Sequence, residues 1–261
     1  MEYQTIIVEE KNAVGYLSLN RPEQFNSFTP QMCLEIVEVL TQWKDDTEIR
    51  IIVIAAIGKA FCAGQAINPD LFDSGAIDLG LVLEKYFNPL LALINTLPKV
   101  IICAVNGVAA GAGASLVLLC DIVIAAKSAS FSQIFSKIGL IPDCGATWLL
   151  PRMIGFAKAK ALMLTAEKIS ADEAERLGMI YKVVEDDQLQ IEVVALAEHL
   201  ATQASLSFAL IKQAMRVSMQ NDFTSQVKVE QDLQRQAGQS ADFLEGVRAF
   251  LMKDKPNFKG R

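Results

Sequence analysis

Apolar positions along this chain fall in short blocks divided by turn residues, and one block dominates. From Val100 to Cys120 the sequence VIICAVNGVAAGAGASLVLLC carries no charge and is interrupted by Asn106, Gly107, Gly111 and Gly113 before Asp121 closes it. A bilayer span asks for about 20 apolar residues, but the glycine interruptions and the abutting aspartate argue for two buried elements in series. Val100 to Val105 is β-branched and lies between Pro98 and Gly107, which predicts a buried strand. Ala109 to Leu119 predicts a buried helix whose first turn is made of Gly and Ala. Free N–H groups and the positive dipole end at such a start stabilise negative charge, and small side chains let a ligand oxygen approach them.

The same reading extends to both sides. Tyr3 to Glu9 and Val14 to Leu19 predict a hairpin turning at Lys11-Asn12. Thr29-Pro30 predicts a capped helix start, followed by Cys33, Ile36, Val37, Leu40 and Trp43 at helical spacing. Ile51 to Ala56 reads as a strand, Gly58 to Gln65 as a small-residue loop, and Asn68 to Gly80 as a mobile surface segment. Leu81 to Thr96 predicts a helix kinked or broken by Pro89. Downstream, Ile122 to Ala126 predicts a strand, Ile141 to Gly145 a tight turn presenting Asp143, and Ala157 to Leu164 a helix. Ser170 and Glu173 predict a capping box for a helix ending before Gly178. Met179 to Val184 predicts a last strand, and the pattern from Asp187 onward is helical. Strands alternating with helices argue an α/β core with parallel strands, followed by a helical appendage.

Composition narrows the function classes. Of 261 residues, 52% are hydrophobic, which suits a well-buried globular fold, and the net charge of -6 argues against a nucleic-acid partner. Five cysteines, Cys33, Cys62, Cys103, Cys120 and Cys144, stand singly in apolar context and are expected to be reduced core residues of a cytoplasmic protein. No metal-ligand cluster has suitable spacing, so no metal is expected. The N-terminus lacks a basic patch followed by an apolar run, so no signal peptide is expected. His199 is the only histidine, which makes a His-based triad depend on one helical residue given a surface or core role. Trp148 is expected in the core. GVAAGAG departs from G-x-G-x-x-G, which disfavours a dinucleotide site.

Four segments carry a specific resemblance: AFCAGQ (60–65), AVNGVAAGAGASL (104–116), GLIPDCGATWLLPR (139–152) and EGVRAF (245–250). With LNRPEQFNSF (19–28), they resemble the crotonase, or enoyl-CoA hydratase/isomerase, superfamily over essentially the entire chain. The resemblance implies a crotonase-like spiral of ββα units over 1–199, and a C-terminal helical region over 200–261 that forms a homotrimer or a dimer of trimers. It implies an acyl-CoA substrate, coenzyme A being part of that substrate rather than a separate cofactor. No membrane or nucleic-acid partner is expected.

By the same resemblance, the N–H groups of Gln65 and Ala112 hold the thioester oxygen. Ala63, Gln65 and Ile67 contact the CoA ester, and Phe250 and Lys253 bind the CoA of a neighbouring subunit. Hydratases of the superfamily use two glutamates, but the matching positions here are Ser115 and Phe135. Asp143 lies where isomerases carry a catalytic aspartate, and its apolar neighbours suit a raised pKa. Ala66 stands where close relatives have Asp. The implied activity is that of an acyl-CoA isomerase working through a thioester enolate, on a ring-epoxidised phenylacetyl thioester or an enoyl thioester. A non-catalytic acyl-CoA-binding protein and a hydratase-like enzyme are the competing readings.

Overall fold

The computed structural model describes residues 3–67 and 78–261, so most of the predicted surface segment Asn68 to Gly80 lies outside the described residues. Strands β1 (Ile6–Lys11) and β2 (Val14–Leu19) form the expected hairpin, with Asn12 and Ala13 left-handed at the turn. β1 starts later than Tyr3 because the Gln4 and Thr5 N–H groups donate to the buried Glu35 carboxylate, at 3.0 and 2.9 Å. Helix α1 (Pro30–Asp45) begins as its sequence demands: Pro30 occupies the first turn and Thr29 Oγ1 accepts from Met32 N. It buries Met32, Ile36, Val39, Leu40 and Trp43. Gly15 is required beneath Trp43, since a Cβ there would lie 2.8 Å from the indole.

From here the chain repeats a pattern of long strand, short strand and helix. The first unit comprises β3 (Ile51–Ala56), β4 (Ala60–Cys62), α2 (Leu79–Val82) and α3 (Asn88–Thr96). The second comprises β5 (Val100–Val105), β6 (Val108–Ala110) and α4 (Ala112–Leu119). The third opens with β7 (Ile122–Ala126) and β8 (Ser130–Ser132), a 3-10 turn over Ile134–Ile138, and helices α5 (Ala146–Ile154) and α6 (Phe156–Thr165). Then come β9 (Lys168–Ser170), α7 (Ala171–Arg176) and β10 (Lys182–Val184). Because each unit returns in the same direction, like strands pair in parallel. The long strands build a sheet of order β1-β2-β3-β5-β7-β10, and the short ones a second sheet of order β4-β6-β8-β9. Among the described residues only β1/β2 and β8/β9 pair antiparallel. β5 is buried along its whole length, as an apolar strand inside a covered parallel sheet should be.

Several boundaries differ from expectation for local reasons. The helix predicted from Ala109 starts at Ala112, because Val108 to Ala110 pair with both β4 and β8. The helix predicted over Leu81 to Thr96 runs through the proline without a break, but its bonding changes just before it. Pro89 has no N–H for the carbonyl four residues back, and the bonding over Leu83–Phe87 loosens to a π turn. The last strand is limited to Lys182–Val184. At α7, Ser170 Oγ accepts from Glu173 N at 3.2 Å, but the Glu173 carboxylate turns to Arg176 instead of closing the box. Trp148 is at the surface, with the Arg152 guanidinium stacked 4.2 Å from its ring centroid, and His199 is exposed. All five cysteines are buried and free.

Helix α8 (Leu189–Ala201) packs on β3, β5 and β7. Beyond it, α9 (Ser205–Ser218), α10 (Phe223–Gly238) and α11 (Ala241–Met252) leave many apolar side chains exposed, among them Met215, Phe223, Leu244, Phe250 and Leu251. Among the described residues no single helix is long and apolar enough to cross a membrane.

Candidate active site

The loop after β4 and the start of α4 are pressed together. Phe28 brackets the loop from one side: its N–H donates to Gly64 O at 2.8 Å, and its carbonyl accepts from Ala66 N at 2.8 Å. Successive N–H groups of an extended segment point to opposite sides. With Ala66 N–H turned to Phe28, the Gln65 N–H is turned away from it. The bracket is itself held by Asn26, which is fully buried, left-handed, and donates at 2.8 Å to the carbonyls of Ile57 and Ala60.

Gly64, at φ +105, gives that loop its turn, and a Cβ on it would lie 3.2 Å from Ala110 O and 3.7 Å from Ala112 N. Helix α4 starts there. Gly111 N–H is spent on Ser132 O, and the first helical bond runs from Ser115 N to Gly111 O, both at 3.0 Å. The N–H groups of Ala112, Gly113 and Ala114 are thus the orphan donors of the first turn. Gly113 lets α4 approach β4, since a Cβ on it would stand 2.5 Å from Cys62 O. Gln65 N–H and Ala112 N–H therefore belong to one small patch of backbone, at a helix start where charge is stabilised.

Asp143 approaches from α5. It follows Pro142 and precedes two left-handed residues, Cys144 at φ 52 and Gly145 at φ 80, a reversal that also starts the helix. The carboxylate is half-buried, and its Oδ1 is sealed from solvent with no hydrogen-bond partner among the described residues. Burial pushes the Asp143 carboxyl above the usual aspartate range, an effect the neighbouring Cys144 thiol moderates. Cys144 is buried next to the thiols of Cys33 and Cys62, and burial raises the Cys33 and Cys62 thiols to about 12. Cys62 is the residue Gly113 rests on, and α5 packs on α4. Asp143 thus lies in the turn that leads into α5, the helix packed on α4.

The other expected positions are distributed as follows. Ala63 is half-buried, Gln65 exposed, and Ile67 61% exposed. Ser115 is fully buried with its hydroxyl bonded back to Gly111 O at 3.1 Å, a helical role. Phe135 is buried with its ring close to Gly111, where a Cβ would lie 3.7 Å from it. Phe250 and Lys253 are exposed at the end of α11, and Phe250 lines a groove of about 410 Å³ with Leu206, Phe243 and Phe258, to which Ala63, Gln65 and Ile67 do not contribute. One chain does not bring the two sets together in that groove. Phe28 and Asn26, which hold the donor loop, have no predicted role in the sequence reading. The signal for them is an Asn-rich turn before a capped helix, which marks a bend but not its target.

The Enoyl-CoA hydratase/isomerase family model matches residues 9–261. The chain belongs to that family. It is 48% identical over 258 residues to the 1,2-epoxyphenylacetyl-CoA isomerase of Escherichia coli, covering 98% of each chain. It is 44% identical to the "Probable enoyl-CoA hydratase" of Rhodobacter capsulatus, over all of both chains. The crystal structure of the enoyl-CoA hydratase from Bacillus anthracis superposes with a TM-score of 0.93 at 32% identity, covering 99% of this chain and 100% of the other. The two sheets of parallel-paired ββα units and the C-terminal helices are the crotonase fold.

Proposed function

We propose that this family member is an acyl-CoA isomerase in which Asp143 moves a proton between carbons near the thioester. The Gln65 and Ala112 N–H groups hold the enolate oxygen. What supports this reading is the half-buried Asp143 carboxylate, whose Oδ1 has no partner among the described residues, together with Ser115 and Phe135 at the two positions that match the hydratase glutamates. Neither can act as a carboxylate acid or base, so addition of water by a glutamate pair has no counterpart, whereas one carboxyl of raised pKa can remove and return a proton. As charge moves onto the thioester oxygen, each fixed donor lowers the barrier by about 3 kcal/mol.

The substrate class proposed is a ring-epoxidised phenylacetyl-CoA, isomerised to a seven-membered oxygen ring, as the name of the Escherichia coli relative supports. An enoyl-CoA double-bond shift needs the same parts. Phe250 and Lys253 are proposed to grip the CoA of a neighbouring subunit in a trimer or a dimer of trimers. The exposed apolar side chains of α9 to α11 support such an assembly.

A panel of CoA thioesters, aryl-epoxide and unsaturated aliphatic, tests the reading. Turnover of an aryl-epoxide or β,γ-unsaturated ester, abolished in Asp143→Asn, is expected. Binding without any α-proton exchange in deuterated water would favour a non-catalytic protein, and hydration of a 2-enoyl ester would favour a hydratase.

A further inference from the structure

The segment that follows α11, Lys255 to Arg261, is strapped back along the molecule, and Asp242 is its buckle. Asp242 is 3% exposed at the start of α11. Its Oδ1 accepts from Lys259 N at 2.6 Å, its Oδ2 from Gly260 N at 2.7 Å, and its own N–H donates to Arg261 O at 3.1 Å. One turn further on, Glu245 accepts from Asn257 N at 2.9 Å, and the Phe258 ring rests on Gly246, 3.4 Å from where a Cβ would be. The outer side of the strap is fixed to the core. Arg50, just before β3, donates to Phe258 O at 3.1 Å and to Ala201 O, at the end of α8, at 3.0 Å. Gly260, at φ +78, lies so close to the first residue of α9 that a Cβ would meet Ser205 Oγ at 2.4 Å.

This investment is out of proportion to the rest of α11, whose only buried residues are Asp242 and Ala249. A buried carboxylate is costly unless its acceptors are filled, and here both oxygens are filled by strap N–H groups. Apolar burial within the chain does little to fix α11, so the strap sets its position. Phe250 and Lys253 lie at the far end of that helix.

We infer that Asp242 is a positioning residue for acyl-CoA binding: by clasping the strap it fixes α11, and with it the exposed Phe250 ring and Lys253 ammonium, whose aromatic face and positive charge suit the adenine and phosphates of coenzyme A. The inference rests on the CoA-ester reading proposed above. Nothing in it requires Asp242 to touch substrate.

The probes are phenylacetyl-CoA and phenylacetyl-pantetheine, which lacks the nucleotide, and the readouts are α-proton exchange in deuterated water and calorimetric binding. In Asp242→Asn the half-saturating concentration of the CoA ester is expected to rise about 5- to 20-fold. The saturating exchange rate should stay within about twofold and the pantetheine ester should be unaffected. Gly260→Ala, which lifts the strap while leaving the Asp242 side chain itself unaltered, should do the same, with partial rescue by Ser205→Ala; it serves alone if Asp242→Asn does not fold. An unchanged CoA-ester value in the folded variant, or an equal loss for both esters, overturns the inference. The Phe250→Ala/Lys253→Ala protein separates the two ideas. If it too binds both esters normally, the grip itself is wrong; if it discriminates while the strap variants do not, only the strap is.

Discussion

Gly64 faces Ala112 across the two halves of the proposed oxyanion site: a side-chain carbon on Gly64 would stand 3.7 Å from the Ala112 nitrogen, and 3.2 Å from Ala110 O. The φ of +105 is one that L side chains rarely adopt. Gly64→Ala therefore imposes backbone strain where the Gln65 N–H is aimed. Displacing one donor of this kind costs about 10²- to 10³-fold in turnover. That loss is the expected outcome in steady-state assays, with circular dichroism unchanged and CoA-ester binding largely retained.

In the proposed mechanism Asp143 couples catalysis to stability with opposite signs. Burial raises its folded-state pKa, so the folded protein binds this proton more tightly than the unfolded chain. Its contribution to stability is greatest below the unfolded value and falls as pH rises through the folded one; at neutral pH the ionised form is a liability. Asp143→Asn is expected to lower turnover of the proposed substrate by about 10²- to 10⁴-fold. It should also leave the thermal midpoint at pH 7 unchanged or raised by about 1–2 °C, the exposed part of the carboxylate limiting the gain. In the wild type, turnover should climb with pH through an inflection above the ordinary aspartate value. A midpoint that falls, or an inflection at the ordinary value, contradicts this assignment.

Much of this was legible in the chain, for identifiable reasons. The β5 strand, the glycine-rich start of α4 and the Thr29 cap are local signals, readable from residue type and spacing alone. Asp143 was visible as a carboxylate in an apolar turn. What local pattern could not show is which backbone N–H groups are already spent. Ala109 reads as helix by composition, yet its neighbours on β4 and β8 claim it for a strand. The Phe28 bracket on Gly64 and Ala66 joins segments distant in sequence, so neither segment announces it. Trp148 carries apolar area that suggests burial, but α5 turns it outward, where Arg152 covers its face.

Glu35 gives the fold an acid-sensitive clasp. Burial alone would raise its carboxyl, but the Gln31 amide, the Thr5 hydroxyl and the Gln4 and Thr5 N–H groups outweigh that and hold it below the usual range. A lowered folded-state pKa contributes stability that is complete above the unfolded value, about 4.3, and is lost as pH falls through the folded one. Glu35→Gln should cost about 1–3 kcal/mol at pH 7 in urea unfolding. The gap to wild type should narrow as pH drops below about 4. A gap independent of pH would show that the charge is not what matters.

Lys212 and Asp121 decide how firmly the C-terminal helices are seated. Asp121 Oδ2 accepts from Ile101 N at 2.8 Å and pairs with Lys212 Nζ at 2.6 Å, and Lys212 also donates to Lys99 O at 2.6 Å. Both side chains are largely shielded, Lys212 at 16% and Asp121 at 24% exposure, so the pair is screened less by solvent than a surface bridge. Removing the carboxylate leaves a shielded ammonium short of its counter-ion and strips the β5 amide of its acceptor. Asp121→Ala is expected to cost about 2–3 kcal/mol. The loss should appear first as faster amide exchange over Ser205–Ser218, while the amides of Ala112–Leu119 stay protected, because α9 reaches β5 through this pair and α4 does not. Equal acceleration in both helices would mean that the pair holds the whole core, not the seat of α9.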